Sequence, residues 1–198
     1  RFRTRTVDLV KAVRALAVDN GIHQPGWQRW NLLTDERTHE PVLGDTPVSQ
    51  EHVRDWSAGL DLPIGGDTIL FVDCEAAFYR TSVPRAVASI LRHAGYEFGL
   101  MNEQWCCGGP AAEMGYQEQA QRFARHNLDD WRASGVRRVL VLDPHDYITF
   151  TEDYPKYFGE DYDIEIVLVI DLLAEMIRDG RLRPEVPIER TITYHDPC

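Results

Sequence analysis

Apolar residues recur at three- and four-residue spacing near the N-terminus, at Val7, Val10, Val13, Leu16 and Ala17. That rhythm predicts an amphipathic helix over residues 1–20, stopped by Gly21. From Asp67 the rhythm changes to short apolar runs alternating with helical periods. Residues 68–72 (Thr-Ile-Leu-Phe-Val) form a continuous β-prone run, the pattern of a parallel strand covered on both faces. Ser82-Val83-Pro84 then opens a helix, with Ser82 as cap, through Val87, Ile90 and Leu91 to Gly95. A second strand is predicted over 96–101 and a long helix over 115–134, with Ala120, Phe123, Ala124 and Leu128 on one face. Residues 138–142 and 164–169 read as third and fourth strands, 172–178 as a helix and 190–194 as a fifth strand. Between the third and fourth, residues 153–161 read as an aromatic loop carrying Tyr154, Tyr157 and Phe158. Strands alternating with helices predict an α/β fold, a Rossmann-like parallel sheet with helices on both faces.

The same pattern divides the chain into a lead-in, residues 1–66, and a main domain, residues 67–198. Residues 23–66 are rich in Pro, Gly, Asp and Thr, with Trp27, Trp30 and Trp56 among them. Such a stretch reads as an irregular connector pinned by its aromatics, with a short helix over 50–59. The sequence opens at Arg1 without a Met and stops at Cys198, directly after His195-Asp196-Pro197. We therefore expect it to be a piece of a longer polypeptide.

Composition narrows the function classes. A 43% hydrophobic and 27% charged content is that of a soluble globular chain. No run approaches the apolar length a membrane span needs, and the longest, 164–170, is broken by Glu165. With no signal-peptide pattern either, a cytoplasmic address is expected. A net charge of −11 argues against nucleic acid as a partner, since phosphate binding needs surplus Lys and Arg. Four cysteines in 198 residues are not a disulfide framework, so metal binding or redox chemistry is the better reading of them.

Two of the four are adjacent, in Gln104-Trp105-Cys106-Cys107-Gly108-Gly109-Pro110. Glycine and proline make this a tight loop, since the run suits neither strand nor helix. In a parallel α/β sheet, ligands lie beyond the carboxyl ends of the strands. Cys74 ends the first predicted strand, Cys106 and Cys107 follow the second, Asp143 and Asp146 the third, and Cys198 the last. The topology therefore predicts that they converge on one rim. Asp143, in an Asp-Pro pair, reads as a cap of the following turn, while Asp146 is open between cap and ligand. His145 reads as a hydrogen-bonded loop histidine. No dinucleotide fingerprint, Walker lysine or Gly-x-Ser-x-Gly elbow occurs, and no catalytic residue is assigned.

These motifs resemble the cysteine-rich CCG domain of the heterodisulfide reductase family, which includes that enzyme's B and D subunits. Its repeat runs Cys, a long gap, Cys-Cys-Gly, a second long gap, then Cys-x-x-Cys. Here 31 residues separate Cys74 from Cys106, and 35 separate Cys107 from Asp143-Pro144-His145-Asp146. The spacing is kept and both final cysteines are aspartate. Gly115-Tyr116, Ala124-Arg125, Asn127 and Tyr154-Pro155 fit the same resemblance. Tyr194-His195-Asp196-Pro197-Cys198 is similar to the opening of a second repeat, and Trp56, Gly59 and Leu60 to the linker after a ferredoxin-like domain. The resemblance implies an iron–sulfur electron-transfer domain holding a [4Fe-4S] cluster, cubane or non-cubane. Its ligands would be Cys74, Cys106 and Cys107, with Asp146 in a fourth position and Asp143 and Cys198 further candidates. It implies redox partners: a ferredoxin-like domain, a flavoprotein or a quinone-linked membrane subunit, the last tying the chain to the inner face of a membrane. Two alternatives stand beside it. One is a degenerate, metal-free repeat that docks other subunits, and the other is a structural zinc held by Cys74, Cys106, Cys107 and Asp146.

Overall fold

The computed structural model describes residues 5–22, 56–101 and 104–194. Trp27, Trp30, Cys198 and most of the expected 50–59 helix lie outside the described residues. The elements, in order, are α1 (Thr6–Asp19), β1 (Thr68–Phe71), α2 (Cys74–Phe78), α3 (Ser82–His93), α4 (Gly109–Met114) and α5 (Gln117–Ala133). There follow β2 (Arg138–Val141), α6 (Pro144–Ile148), a π-helical turn (Thr149–Asp153), α7 (Tyr154–Phe158), a 3-10 turn (Gly159–Asp161), β3 (Glu165–Leu168) and α8 (Val169–Arg178).

The three strands form a parallel sheet in the order β1-β2-β3, with Thr68 opposite Arg138 and Arg138 opposite Glu165. Alternation along the strands builds two cores, because successive side chains leave opposite faces. Leu70, Val72 and Leu140 pack with Ala88 and Leu91 of α3 and Leu172 and Met176 of α8. Ile69, Phe71, Val139 and Val141 pack on the other face with Ala124, Leu128 and Trp131 of α5 and with Phe150 and Tyr154. The expected α/β architecture, a parallel sheet covered on both faces, is the one observed. Trp56 is buried in the first of these cores, pinning the end of the connector.

Three elements differ from expectation. The second strand shrinks to isolated parallel bridges, Ile69 with Gly99 and Ile64 with Leu100. The chain there is wedged between β1 and residues 63–65, and a side chain at position 99 would run into the Gly65 carbonyl. The aromatic loop is helical. Tyr154, Tyr157 and Phe158 stack within one turn, and Tyr154 meets Phe150 edge-on at 4.8 Å, so a helix buries rings that a loop would scatter. The fifth strand is absent among the described residues. Residues 190–194 form no regular element, with Ile192 and Tyr194 about 85% exposed, because no described strand lies beside them to complete a ladder.

α1 also turns an unexpected side inward. None of its residues is buried, and Val7, Val13 and Leu16 are more than half exposed. Its polar side makes the contacts: Lys11 Nζ with Asp153 Oδ2 at 2.9 Å, and Arg14 Nη1 with the Glu113 carbonyl at 2.8 Å. Gly115, at φ +96°, allows the approach, since a Cβ there would sit 2.5 Å from the Arg14 carbonyl. No helix of the described residues is long and apolar enough to cross a membrane.

Candidate metal centre

Each candidate ligand is carried to the C-terminal rim of the sheet by its own local device. Asp73 follows β1 and caps α2, its carboxylate accepting from the Ala76 N–H at 2.9 Å, which fixes Cys74 as the first helical residue. After β2, Asp143 does the same for α6, accepting from the His145 N–H at 2.6 Å, with Pro144 in the first turn. This places Asp146 in the first turn of α6, facing inward and only 4% exposed. The intervening loop delivers Cys106 and Cys107, and Gly108, at φ +87°, turns it into α4. A Cβ on Gly108 would meet the Ala120 carbonyl at 2.9 Å, so only glycine suits both the conformation and the space.

The three thiols form a row: Cys74 is hydrogen-bonded to Cys106, Cys106 to Cys107, and Cys107 to Asp146. Hydrogen bonds from Cys107 and Cys74 hold the Cys106 thiol well below its ordinary range, with help from the Gly108 N–H and against the effect of burial. The same bonds, followed by burial, push Cys74 and Cys107 well above it. The Gly109 N–H also points at the Cys107 sulfur, 3.4 Å away.

Asp146 is pushed up to about 8, chiefly by burial. Its Oδ2 is buried without a hydrogen-bond partner among the described residues. Such an atom is costly to leave unmet, by about 1–3 kcal/mol, and marks a place where a further ligand would be satisfied. Ligand atoms of Cys107, His145 and Asp146 lie within 4.8 Å of one another. His145 Nε2 stands 3.2 Å from Glu113 Oε1, and this contact raises the histidine and lowers the glutamate. Three neighbouring sulfurs, an orphaned carboxylate oxygen and a nearby imidazole fit a thiophilic metal or cluster. Asp143 is occupied as a cap, and Cys198 lies outside the described residues.

Around the loop sits a second set of buried polar groups whose roles are invisible in the sequence. The Gln104 side chain pairs with both the N–H and the C=O of Val72, at 3.1 and 2.6 Å, tying the loop to the end of β1. Asn127, on α5, accepts from the Trp105 N–H at 3.2 Å and donates to the Cys106 carbonyl at 2.9 Å. Tyr154 donates to the Cys107 carbonyl at 3.1 Å. Glu113 left no signal in the sequence. Asn127 and Tyr154 stood only within the resemblance, without a role. On the outer side of the loop, Trp105 stacks on His126 and lines an open cleft of about 420 Å³, in which Arg122 and Arg125 balance Glu118 and Asp129.

Residues 68–151 match the model of the CCG cysteine-rich domain. Over 198 residues the chain is 28% identical to the D subunit of the dihydromethanophenazine:CoB–CoM heterodisulfide reductase of Methanosarcina mazei, covering 98% of this chain and 47% of that protein. It is 31% identical over 134 residues to the EtfAB:quinone oxidoreductase of Syntrophomonas wolfei, covering 66% of this chain and 18% of the relative. It is 33% identical over 112 residues to a Bacillus subtilis protein named probable iron-sulfur-binding oxidoreductase FadF, covering 56% and 16%. The chain thus spans less than half the length of these relatives, and no solved structure matches it. The vicinal cysteines, the upstream Cys74 and the strand-end position of the site all lie inside the segment, residues 68–151, that is similar to the CCG cysteine-rich domain.

Proposed function

We propose that this chain is an iron–sulfur electron-transfer domain of a heterodisulfide reductase-like oxidoreductase. The observation that carries the reading is the row of Cys74, Cys106 and Cys107, brought from separate parts of the chain and ending at Asp146 with its unpartnered oxygen. Thiolate sulfur is the usual ligand of cluster iron. In this reading the three cysteines hold a [4Fe-4S] cluster and Asp146 takes the fourth position, a harder donor than the cysteine it replaces. Such a cluster, when bound, accepts and passes on electrons. The chain's own residues set the conditions for that: the Gly108 and Gly109 N–H groups face the sulfurs, and the buried floor of the loop limits water.

The names of the relatives, one from a heterodisulfide reductase, one a quinone oxidoreductase and one an iron-sulfur-binding oxidoreductase, support redox work in a larger assembly. The partners would be a ferredoxin-like domain and a flavoprotein or quinone-linked subunit. Purification without oxygen should give brown protein with iron and acid-labile sulfide in equal amounts. A colourless protein that takes up no iron on reconstitution contradicts the proposal.

A second reading, a structural zinc, is favoured by one observation: Cys107, His145 and Asp146 together are a nitrogen, oxygen and sulfur donor set within zinc's reach. Elemental analysis showing zinc and no sulfide would select it.

A further inference from the structure

We propose that Tyr154 is a positioning residue for the cysteine loop, acting on the Cys107 sulfur through the backbone that follows it. This rests on the iron–sulfur reading of the site. The phenol donates to the Cys107 carbonyl at 3.1 Å. That carbonyl belongs to the Cys107–Gly108 peptide, and the next N–H along the chain, that of Gly109, donates to the Cys107 sulfur at 3.4 Å. Holding the carbonyl fixes the plane of this peptide and with it the direction of the Gly109 N–H. Tyr154 thus keeps that donor aimed at the sulfur without touching it.

Two observations make the arrangement a built one. Tyr154 is fully buried among aromatic rings, which leaves its hydroxyl little freedom to choose another acceptor. Asn127 donates to the same hydroxyl oxygen at 3.2 Å, directing the phenolic hydrogen toward Cys107, and its amide also holds the Cys106 carbonyl. The Cys106–Cys107 and Cys107–Gly108 peptides are therefore both gripped at their carbonyl oxygens. Tyr154 lies 47 residues from Cys107 in sequence, so only the fold brings them together.

The test is Tyr154→Phe in the full-length protein, which keeps the ring and removes the hydroxyl. Two readouts are taken: the reduction midpoint of the cluster bound at this loop, and amide hydrogen exchange of Gly108 and Gly109. The reduced cluster carries more negative charge on sulfur, so losing the alignment of the Gly109 donor should disfavour reduction about threefold to tenfold. A tenfold loss lowers a one-electron midpoint by about 59 mV. Exchange at the two glycine amides should quicken about tenfold, while Tyr157→Phe, in the same aromatic group, changes neither readout. An unchanged midpoint in Tyr154→Phe, with the cluster in place, overturns the proposal. If the wild-type protein holds no iron at this loop, the iron–sulfur reading fails and the hold of Tyr154 is judged by exchange alone, where unchanged glycine rates overturn it. Should Tyr154→Phe not fold, Asn127→Ser replaces it with the same expected directions.

Discussion

Asp146 falls where the resemblance drawn from the sequence expects a cysteine, and its environment is unusual for a carboxylate. A carboxylate is buried against sulfur with one oxygen unmet. A thiolate there would be softer and better matched to cluster iron. Asp146→Cys should therefore slow iron loss to a chelator by about tenfold, the scale on which ligand-shell changes act. Asp146→Ala should hasten it, and equal rates in all three proteins would remove Asp146 from the ligand set. A second residue-scale expectation concerns Gly109. A Cβ there would collide with the Thr149 hydroxyl and sit 3.0 Å from the His145 ring. Gly109→Ala should destabilise the protein by about 1–3 kcal/mol, the usual range for overpacking a filled site. Urea unfolding measures this, and a neutral result would mean that α4 and α6 separate at little cost. At this scale the sequence was informative where a residue type carries its own chemistry. Cys74, Cys106 and Cys107 announced themselves by spacing. Gln104, Asn127 and Tyr154 did not, because an amide or a phenol that grips a backbone looks like any other until the backbone is folded against it.

At the scale of elements, the attachment of α1 is polar and so depends on pH. Asp153 is buried, which by itself would raise its pKa, but hydrogen bonds from Lys11 and Lys156 outweigh burial and lower it. Around it lie Tyr157, which feels its charge, and the exposed Arg5–Glu152 pair. A depressed carboxylate stabilises the fold above its ordinary value of 3.8, and that contribution is lost as pH falls through the lower folded value. Lys11→Met should reduce stability by about 1 kcal/mol near neutral pH and flatten the acid limb of the stability profile. An unchanged acid limb would show that Lys11 does not hold Asp153. Gly115→Ala, forced against the Arg14 carbonyl, should release α1 and open residues 5–22 to protease while leaving the sheet intact. The strands with apolar runs on both faces were legible because burial dictates that pattern. The run over 190–194 has the same look and forms no strand, since a strand exists only with a neighbour to pair with. The helical turns over 149–158 hid behind Thr, Asp and Pro, which suggest a loop until the rings find Trp131 and Phe150.

At the scale of the whole molecule, the fold explains why ligands so far apart in sequence meet. Parallel strands all end on one rim, so residues that follow β1 and β2, together with the loop between them, share one edge. The account of function depends on what that edge holds. The most direct measurement is iron and acid-labile sulfide per full-length protein, prepared without oxygen, for the wild type and for Cys74→Ser, Cys106→Ser and Cys107→Ser. Each substitution is expected to remove the same quantity of iron and an equal quantity of sulfide, one cluster's worth, with the fold retained. Iron and sulfide contents that do not change in any of the three variants would contradict this.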